Sequence, residues 1–494
     1  MNQVTNTKDL YRKQLVASTG IIRMIIVNTL CTILILFIST TLNAQRQRPN
    51  ILVIMTDQQS ASMMSCTGNP WLKTPALDKI ASQGIRFTNA YCTNPVCCPS
   101  RFSLQTGLFP SVIGMRENGD PNVDTAKVKS LYSQSIGYTF RNAGYQTYYG
   151  GKVHLPLDFL NIQPWGYDVL THDERDDLAT VCADFLMNRK KGGSPFLLVA
   201  SFINPHDICY DAIRWAEPNS RLAKNTPADL DEALTIPDGI SRKEFFSKYC
   251  PPLPSNHEPM IGETSSVEGL VTLRPFREIV REKWTDEDWR MHSWAYMRLT
   301  ERVDALIGIV MNALNKSGLA KSTIVIFTSD HGDNNGSHKL EHKTVFYQEA
   351  ANIPLLVSCP WAKTKGVVDS VHLVSNGLDL LPTLCDFAGI KVPAGIKGKS
   401  LVPLITDPQH NVDWRKHIFI EDQIGYLIHT GRYKYELDDT GRIREMFVDL
   451  KTDPGETRNL IDKAKYGHIV DSLRHKLLNH LKEMRIPINY SSLR

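Results

Sequence analysis

The stretch Asn50-Ile-Leu-Val-Ile-Met-Thr-Asp57-Gln58 is an apolar run, rich in β-branched residues, that ends abruptly in a carboxylate and an amide. Three other stretches share the pattern. Tyr145-Gln-Thr-Tyr-Tyr leads into Gly150-Gly151-Lys152-Val153-His154, and Phe196-Leu-Leu-Val-Ala-Ser-Phe-Ile into Asn204-Pro205-His206. Thr323-Ile-Val-Ile-Phe-Thr-Ser leads into Asp330-His331-Gly332-Asp333. Continuous apolar runs of this length suit strands buried on both faces, as in parallel sheets covered by helices. Ligands of such sheets bind just beyond the carboxyl ends of the strands. The four runs therefore predict an α/β fold, with a large and mostly parallel central sheet delivering Asp, Lys and His to one edge.

The connecting helices are legible. Thr74 reads as a cap with Pro75 at the first helical position, and the helix stops at Gly84. Val303, Ile307, Val310 and Leu314 keep helical spacing in a segment from about 286 to 314, and a third helix covers 378–387 before Gly389. From about residue 410 the texture changes to short strands and turns, with a hairpin at Thr430-Gly431 and a last helix over 468–484. The predicted organisation is a catalytic domain over 45–409 and a smaller C-terminal subdomain over 410–494, an antiparallel sheet plus a helix. Residues 207–285, rich in Pro and charge with weak periodicity, read as a long irregular insertion near the site.

Composition excludes several classes. The chain has 494 residues, 42% hydrophobic and 22% charged, which rules out a disordered chain and a small disulfide-stapled domain. The formal charge of +4 resides largely in residues 1–44, where Lys8, Arg12, Lys13 and Arg23 oppose Asp9. That segment has a basic start, an apolar run from Leu30 to Ile38 and a small residue at Ala44, so it reads as a secretory signal peptide cleaved near Ala44. The expected location is periplasmic or extracellular, with no stable membrane span after cleavage. The mature chain is then nearly neutral, which gives no reason to expect a nucleic-acid partner. Nine cysteines remain, an odd number, so at least one is unpaired or chemically altered.

Cys97-Cys98-Pro99-Ser100-Arg101-Phe-Ser-Leu104-Gln-Thr106-Gly107 resembles the Cys-x-Pro-Ser-Arg-x-x-Leu-x-Thr-Gly signature of the type I sulfatases of the alkaline phosphatase superfamily. Only Cys97 fits the first position, because Cys98 is directly followed by Pro99. Pro99 and Ser100 read as the start of a helix ending at Gly107, which sets residue 97 before free N–H donors and the positive dipole end. Arg101 falls near the same face and can hold a charged oxygen there. The resemblance extends further. Asp57-Gln58 stands where the family has its first metal-binding pair, commonly Asp-Asp, and Asp330-His331 stands at the second, often Asp-Asn. Gly151-Lys152-Val153-His154, Pro205-His206, the segment Gly336 to Lys343 and the run Asp449 to Leu460 are similar to further family motifs.

The resemblance implies that Cys97 is oxidised to formylglycine (3-oxoalanine) by a maturation enzyme, and that its hydrate is the nucleophile. It implies one Ca²⁺, in preference to Mg²⁺ or Mn²⁺, held by Asp57, Gln58, Asp330, His331 and residue 97. Carboxylate and amide oxygens are hard donors that suit such an ion, while the nitrogen of His331 suits it less. Arg101 and the metal would stabilise the nucleophile, and Lys152 and Lys343 would neutralise the sulfuryl oxygens. His206, with Lys343 beside it, would protonate the leaving alcohol, and His154 would deprotonate the remaining hydroxyl so that sulfate departs. His338 matches a family position that could touch substrate. Trp284, Trp289 and Trp294 offer rings for sugar stacking, but their five-residue steps do not share a helical face, and packing is the plainer reading.

The function expected is hydrolysis of sulfate esters on carbohydrates such as glycosaminoglycan fragments or mucin chains. The alternatives are a phosphodiester or phosphonate monoester hydrolase on the same scaffold, and a catalytically silent glycan-binding homologue. The joint presence of Cys97, Arg101, Lys152, His154, His206, Asp330 and Lys343 disfavours the last.

Overall fold

A computed structural model describes residues 48–487, except 191, 364 and 408–411, together with Arg12 and Thr29. The expected signal peptide and its cleavage point at Ala44 lie outside the continuously described residues. Residues Pro49–Arg494 form one compact unit, and no described helix is long and apolar enough to cross a membrane.

Eight strands make the central sheet: β1 (Asn50–Asp57), β2 (Ile85–Phe87), β3 (Gln146–Gly151), β4 (Asp168–Thr171), β5 (Phe196–Pro205), β6 (Thr323–Ser329), β7 (Leu355–Ser358) and β8 (Val367–Asp369). Their spatial order is β4-β3-β5-β1-β6-β7-β2-β8. Only β7 runs antiparallel to its neighbours; the other pairs are parallel. The four strands singled out in the sequence, β3, β5, β1 and β6, lie side by side at its centre, so their polar ends share one edge.

Period-two alternation sends the apolar residues of β1 to two cores. Ile51, Val53 and Met55 face one, with Phe102 and Leu104 of α2 (Cys97–Thr106) and Leu381 and Leu384 of α7 (Asn376–Ala388). Leu52 and Ile54 face the other, with Leu77 and Ile80 of α1 (Pro75–Ser82), Leu178 of α3 (Asp176–Met187) and Val303, Ile307 and Val310 of α6 (Asp286–Lys316). Burying each such side chain contributes roughly 1.5–3 kcal/mol, which is why β1 is unbroken apolar from Ile51 to Met55.

Helix α1 differs from expectation at its cap. The Thr74 side chain accepts no bond from the helix N–H groups; its Oγ1 accepts from Ser65 N and donates to Asp78 Oδ1. The carboxylate of Asp304 on α6 accepts from Ala76 N at 3.0 Å and Leu77 N at 2.9 Å. A tertiary partner has displaced the local cap. Helix α6 starts with the capping box of Thr285 and Asp288.

The region 207–285 is not irregular. It folds into short helices, among them α4 (Cys209–Ala216), Ala228–Ala233, Ser265–Thr272 and α5 (Pro275–Lys283). Segments of one to three turns are too short to display a helical period, and they are held by packing: Leu230 and Ala233 sit against Tyr296 and Leu299 of α6. Trp284 and Trp289 pack edge to face at 4.7 Å, and they and Trp294 are at most 8% exposed, so all three are packing residues.

At the C-terminal end, β9 (Ile418–Glu421), β10 (Gly425–His429), β11 (Tyr433–Asp438) and β12 (Glu445–Asp449) form an antiparallel sheet in sequential order, with α8 (Gly467–Glu483) across one face. The other face joins the main core through Ile418, Ile420, Leu427 and Val448.

Candidate active site

Residue 97 begins α2. Val96 is the N-cap, and Gly107 closes the helix with φ of 69°. Cys97 is therefore inside the first turn rather than before it. Proline is tolerated in a first turn, so Pro99 does not mark the start. The thiol still lies where backbone N–H groups have no intrahelical partner, and it is buried.

Four ligand atoms, from Asp57 at the end of β1, Cys97, and Asp330 and His331 after β6, lie within 4.8 Å of one another. His331 Nε2 is 3.1 Å from Cys97 Sγ, 3.8 Å from Asp57 Oδ1 and 3.7 Å from Asp330 Oδ1. Its Nδ1 lies 2.8 Å from Gly332 O. With that nitrogen donating, Nε2 is left as a lone pair facing the cluster. Gly332 is required by close approach, since a Cβ there would meet Glu349 O at 2.0 Å.

Arg101 reaches back from α2 and binds both carboxylates, Nε to Asp330 Oδ2 at 2.7 Å and Nη2 to Asp57 Oδ2 at 3.0 Å. Nη1 donates to Lys152 O and to Ser201 Oγ. Four of its five donors are thus spent on the protein, so Arg101 fixes the carboxylates and the ends of β3 and β5 instead of lying free for an incoming oxygen. Lys152 Nζ is 2.7 Å from Asp57 Oδ2. Gly151 precedes it with φ of 90°, and a Cβ there would strike Ser201 O at 2.1 Å.

Burial opposes the charge of Asp57, yet Lys152, His206 and Arg101 hold its carboxyl well below the usual range. Burial and the Asp57 charge push Asp330 the other way, against Arg101. Arg101 and Lys152 together match the charge of the two carboxylates, so it is the donor set that fits a divalent cation: hard carboxylate oxygens gathered with His331 and residue 97 within 4.8 Å. For the Cys97 thiol, burial and Asp57 favour the neutral form, but Lys343, Lys152 and His331 outweigh them and lower it well below its ordinary value.

Gln58 is turned by its φ of 69°. Its amide nitrogen donates to Asp333 Oδ2 at 2.6 Å, and its oxygen accepts from Lys343 Nζ. The oxygen expected to bind metal is thus engaged by a lysine. Lys343 Nζ also lies 3.8 Å from Cys209 Sγ. Burial disfavours its charge, but Cys209, Cys97 and Asp57 raise its pKa. Unlike Lys152, Lys343 has no direct carboxylate partner among the described residues: it touches an amide oxygen and a thiol, and the carboxylates that favour its charge are not in contact with it.

His206 hydrogen-bonds to Cys97, and burial with the charges of Lys152 and Lys343 pushes its pKa down to about 4. The Nδ1 atoms of His206 and His154 are both buried without a protein partner. The His154 ring is 5.1 Å from Phe159, which is 46% exposed. His338 is not at the cluster surface. It is fully buried and stacked on Tyr347 at 3.8 Å, and burial pushes its pKa down to about 3. Its part is packing, not substrate contact. Sequence reasoning missed Cys209, Ser201 and Asp333. Cys209 and Asp333 follow a flagged strand, and that position was the available signal; Ser201 is the one hydroxyl inside the apolar run of β5.

A sequence model of the sulfatase family matches residues 49–390, and a model described as N-sulphoglucosamine sulphohydrolase, C-terminal, matches residues 336–483. A Δ4,5-hexuronate-2-O-sulfatase of Bacteroides thetaiotaomicron is 29% identical, over 91% of this chain and 92% of that protein. Among solved structures, a 2-O GAG sulfatase superposes with a TM-score of 0.74 at 26% identity, covering 90% of this chain and 94% of that one. A phosphonate monoester hydrolase of Agrobacterium radiobacter shares the fold, at a TM-score of 0.67 and 19% identity over 88% and 96% of the two chains. With its Cys97 motif and acidic strand ends gathered at one sheet edge of an alkaline-phosphatase-like fold, the chain belongs to the sulfatase family of sulfuric ester hydrolases.

Proposed function

We propose that the mature protein is exported and removes sulfate from glycosaminoglycan-derived sugars, using formylglycine made from Cys97 by a maturation enzyme, and one Ca²⁺. The observation that carries this reading is the placement of Cys97. It lies in the first turn of a helix, beside two carboxylates, with two lysines and two histidines converging on it. The basic, then apolar, residues 1–44 support export to the periplasm or beyond. The names of the 2-O-sulfatase relatives support a sulfated glycosaminoglycan sugar as substrate.

Asp57, Asp330, His331 and residue 97 would hold the cation, which when bound supplies Lewis-acid stabilisation of negative oxygen. Formylglycine supplies a hydrated aldehyde as the nucleophile toward sulfur. Lys152 and Lys343 face the sulfuryl oxygens, and Lys343 gains there the anionic partner that the protein itself denies it. Gln58 holds Lys343 in that direction. As the bond between sulfur and the leaving oxygen breaks, His206 gives that oxygen its proton; the incoming negative sulfate offsets the two lysines that keep His206 neutral at rest. His154 accepts the proton whose loss releases sulfate.

The test has two parts. Peptide mass spectrometry of protein made in its own host should show aldehyde in place of thiol at position 97. Parallel assays should show sulfate esters turned over faster than phosphodiesters and phosphonate monoesters of the same leaving group. An intact thiol in active protein, or faster turnover of the phosphorus esters, defeats the proposal.

A further inference from the structure

The arginines buried near this site are paired, with one exception. Arg101 binds Asp57 and Asp330. Arg175 holds Asp207, with Nη2 2.9 Å from Oδ1 and Nε 3.2 Å from Oδ2. Arg415 binds both oxygens of Asp379. Arg277 on α5 has no such partner among the described residues. Its closest carboxylate oxygen, Glu341 Oε1, is 3.9 Å away, beyond hydrogen-bond reach; the other oxygen, Oε2, is engaged by His342 Nδ1 at 3.0 Å. One long hydrogen bond runs from Nη1 to Leu270 O at 3.3 Å, the Phe276 ring is 5.8 Å from Cζ, and the buried Nε has no acceptor. The side chain is only 13% exposed.

A buried guanidinium with one backbone acceptor and a carboxylate held no closer than 3.9 Å is costly, because that long ion pair repays only part of its desolvation. Its place gives a reason to keep it. Arg277 Nε lies 3.9 Å from Glu341 Oε1, and Glu341 and His342 immediately precede Lys343 in the chain. Arg277 therefore borders the cation pair proposed to receive the scissile sulfate, on the side of residues 341–343.

We infer that Arg277 binds a second oxyanion of the substrate, a carboxylate or a further sulfate on the same saccharide, while Lys152 and Lys343 take the sulfate being removed. A planar fork with free N–H groups suits a trigonal oxyanion and contributes nothing to a neutral sugar. The inference rests on the sulfatase reading and narrows its substrate to saccharides with a second negative group.

The experiment uses the formylglycine-bearing holoenzyme and two substrate pairs. One pair is a Δ4,5-uronate 2-sulfate disaccharide and its methyl ester; the other is glucosamine 2-N,6-O-disulfate and the 6-O-monosulfate. 4-Nitrophenyl sulfate is the reference. The wild type should lose at least about tenfold in kcat/KM when the second anion is removed, matching the value of one charge-assisted bond. Arg277→Met should compress that ratio to within about twofold, and Arg277→Lys should restore part of it. The pair that responds tells carboxylate from sulfate. In the absence of substrate, the melting temperature of Arg277→Met should equal or exceed that of the wild type, since an underpaired buried charge has gone; a structural tether would give a lower one. Undiminished discrimination in Arg277→Met, a wild type indifferent to the second anion, or turnover of 4-nitrophenyl sulfate with none of the saccharides overturns the inference. No turnover of any sulfate ester, 4-nitrophenyl sulfate included, overturns the underlying function and the inference with it.

Discussion

Arg101 Nε lies 2.7 Å from Asp330 Oδ2, with both side chains buried. The contact joins the helix that begins at Cys97 to the end of the strand that delivers Asp330. Because Nη2 of the same guanidinium holds Asp57 at 3.0 Å, Arg101 is the strut between two carboxylates that would otherwise repel.

Removing the strut should cost stability as well as activity. Arg101→Ala leaves two buried carboxylates without their shared cation, a loss of about 3–5 kcal/mol by analogy with other broken buried pairs. Arg101→Lys should fare little better, because one ammonium cannot reach four acceptors set in a fork. Urea unfolding of both variants checks this. A midpoint unchanged from the wild type would mean that the carboxylates are held by other groups.

Lys343 makes a different prediction. Its Nζ meets an amide oxygen and a thiol, with no direct carboxylate partner among the described residues. Lys343→Met should lower kcat/KM for 4-nitrophenyl sulfate by about 10²–10³, as for loss of one preorganised charge. Its melting temperature should fall less than that of Arg101→Ala, because Lys343 makes no direct ion pair with a carboxylate. An equal fall together with intact turnover would make Lys343 a structural cation like Arg101 and not a sulfate-binding one.

These two cations also show what a sequence can and cannot deliver. The strands were legible because Ile51 to Met55 and their counterparts in β3, β5 and β6 are buried on both faces, which demands an unbroken apolar run. That Arg101 and Asp330 come together followed from strand ends meeting at one edge. That Arg101 spends its donors on the protein while Lys343 does not depends on where side chains 229 and 285 residues from their partners come to rest, and no local pattern encodes that. The same holds for Asp304, which caps α1 from 228 residues away and displaces the local Thr74. The short helices over 209–283 were illegible for another reason: they are held by tertiary packing, Ala228–Ala233 on α6 and Ser265–Thr272 on the main core, and are too short to show a period.

Metal removal should be visible as a loss of stability before any assay of turnover. A cation held by Asp57 and Asp330 would stabilise the folded chain by binding it alone, so prolonged treatment with EDTA should lower the melting temperature. The loss corresponds to about 3–4 kcal/mol where the free ion stood at 100 to 1,000 times its dissociation constant. Elemental analysis of protein as isolated should find one divalent ion per chain, and Ca²⁺ should restore the transition better than Mg²⁺. Better restoration by Mn²⁺ or Zn²⁺ would show that the nitrogen of His331 outweighs the carboxylates in choosing the ion.

Glu421 at the end of β9 offers a test of the C-terminal sheet. Its carboxyl is 1% exposed, accepts from Ser111 N at 3.0 Å and Ser111 Oγ at 2.7 Å, and is pushed up to about 7 by burial, against those bonds and Arg116. A folded-state pKa raised above the unfolded value means that the native protein binds the proton more tightly. The stabilisation is complete below about pH 4.5 and is lost as pH rises through about 7, at a cost on the order of 3 kcal/mol. Glu421→Gln should remove this slope, since its oxygen can accept from Ser111 N while its amide donates to Ser111 Oγ. Urea midpoints should therefore nearly coincide for the two proteins at pH 5, with the variant more stable by about 1–3 kcal/mol at pH 8. The neighbouring Asp422, also pushed up to about 7 by burial, is present in both proteins and drops out of the difference. Parallel curves from pH 5 to 8 would mean that Glu421 keeps an ordinary carboxylate pKa in the folded chain.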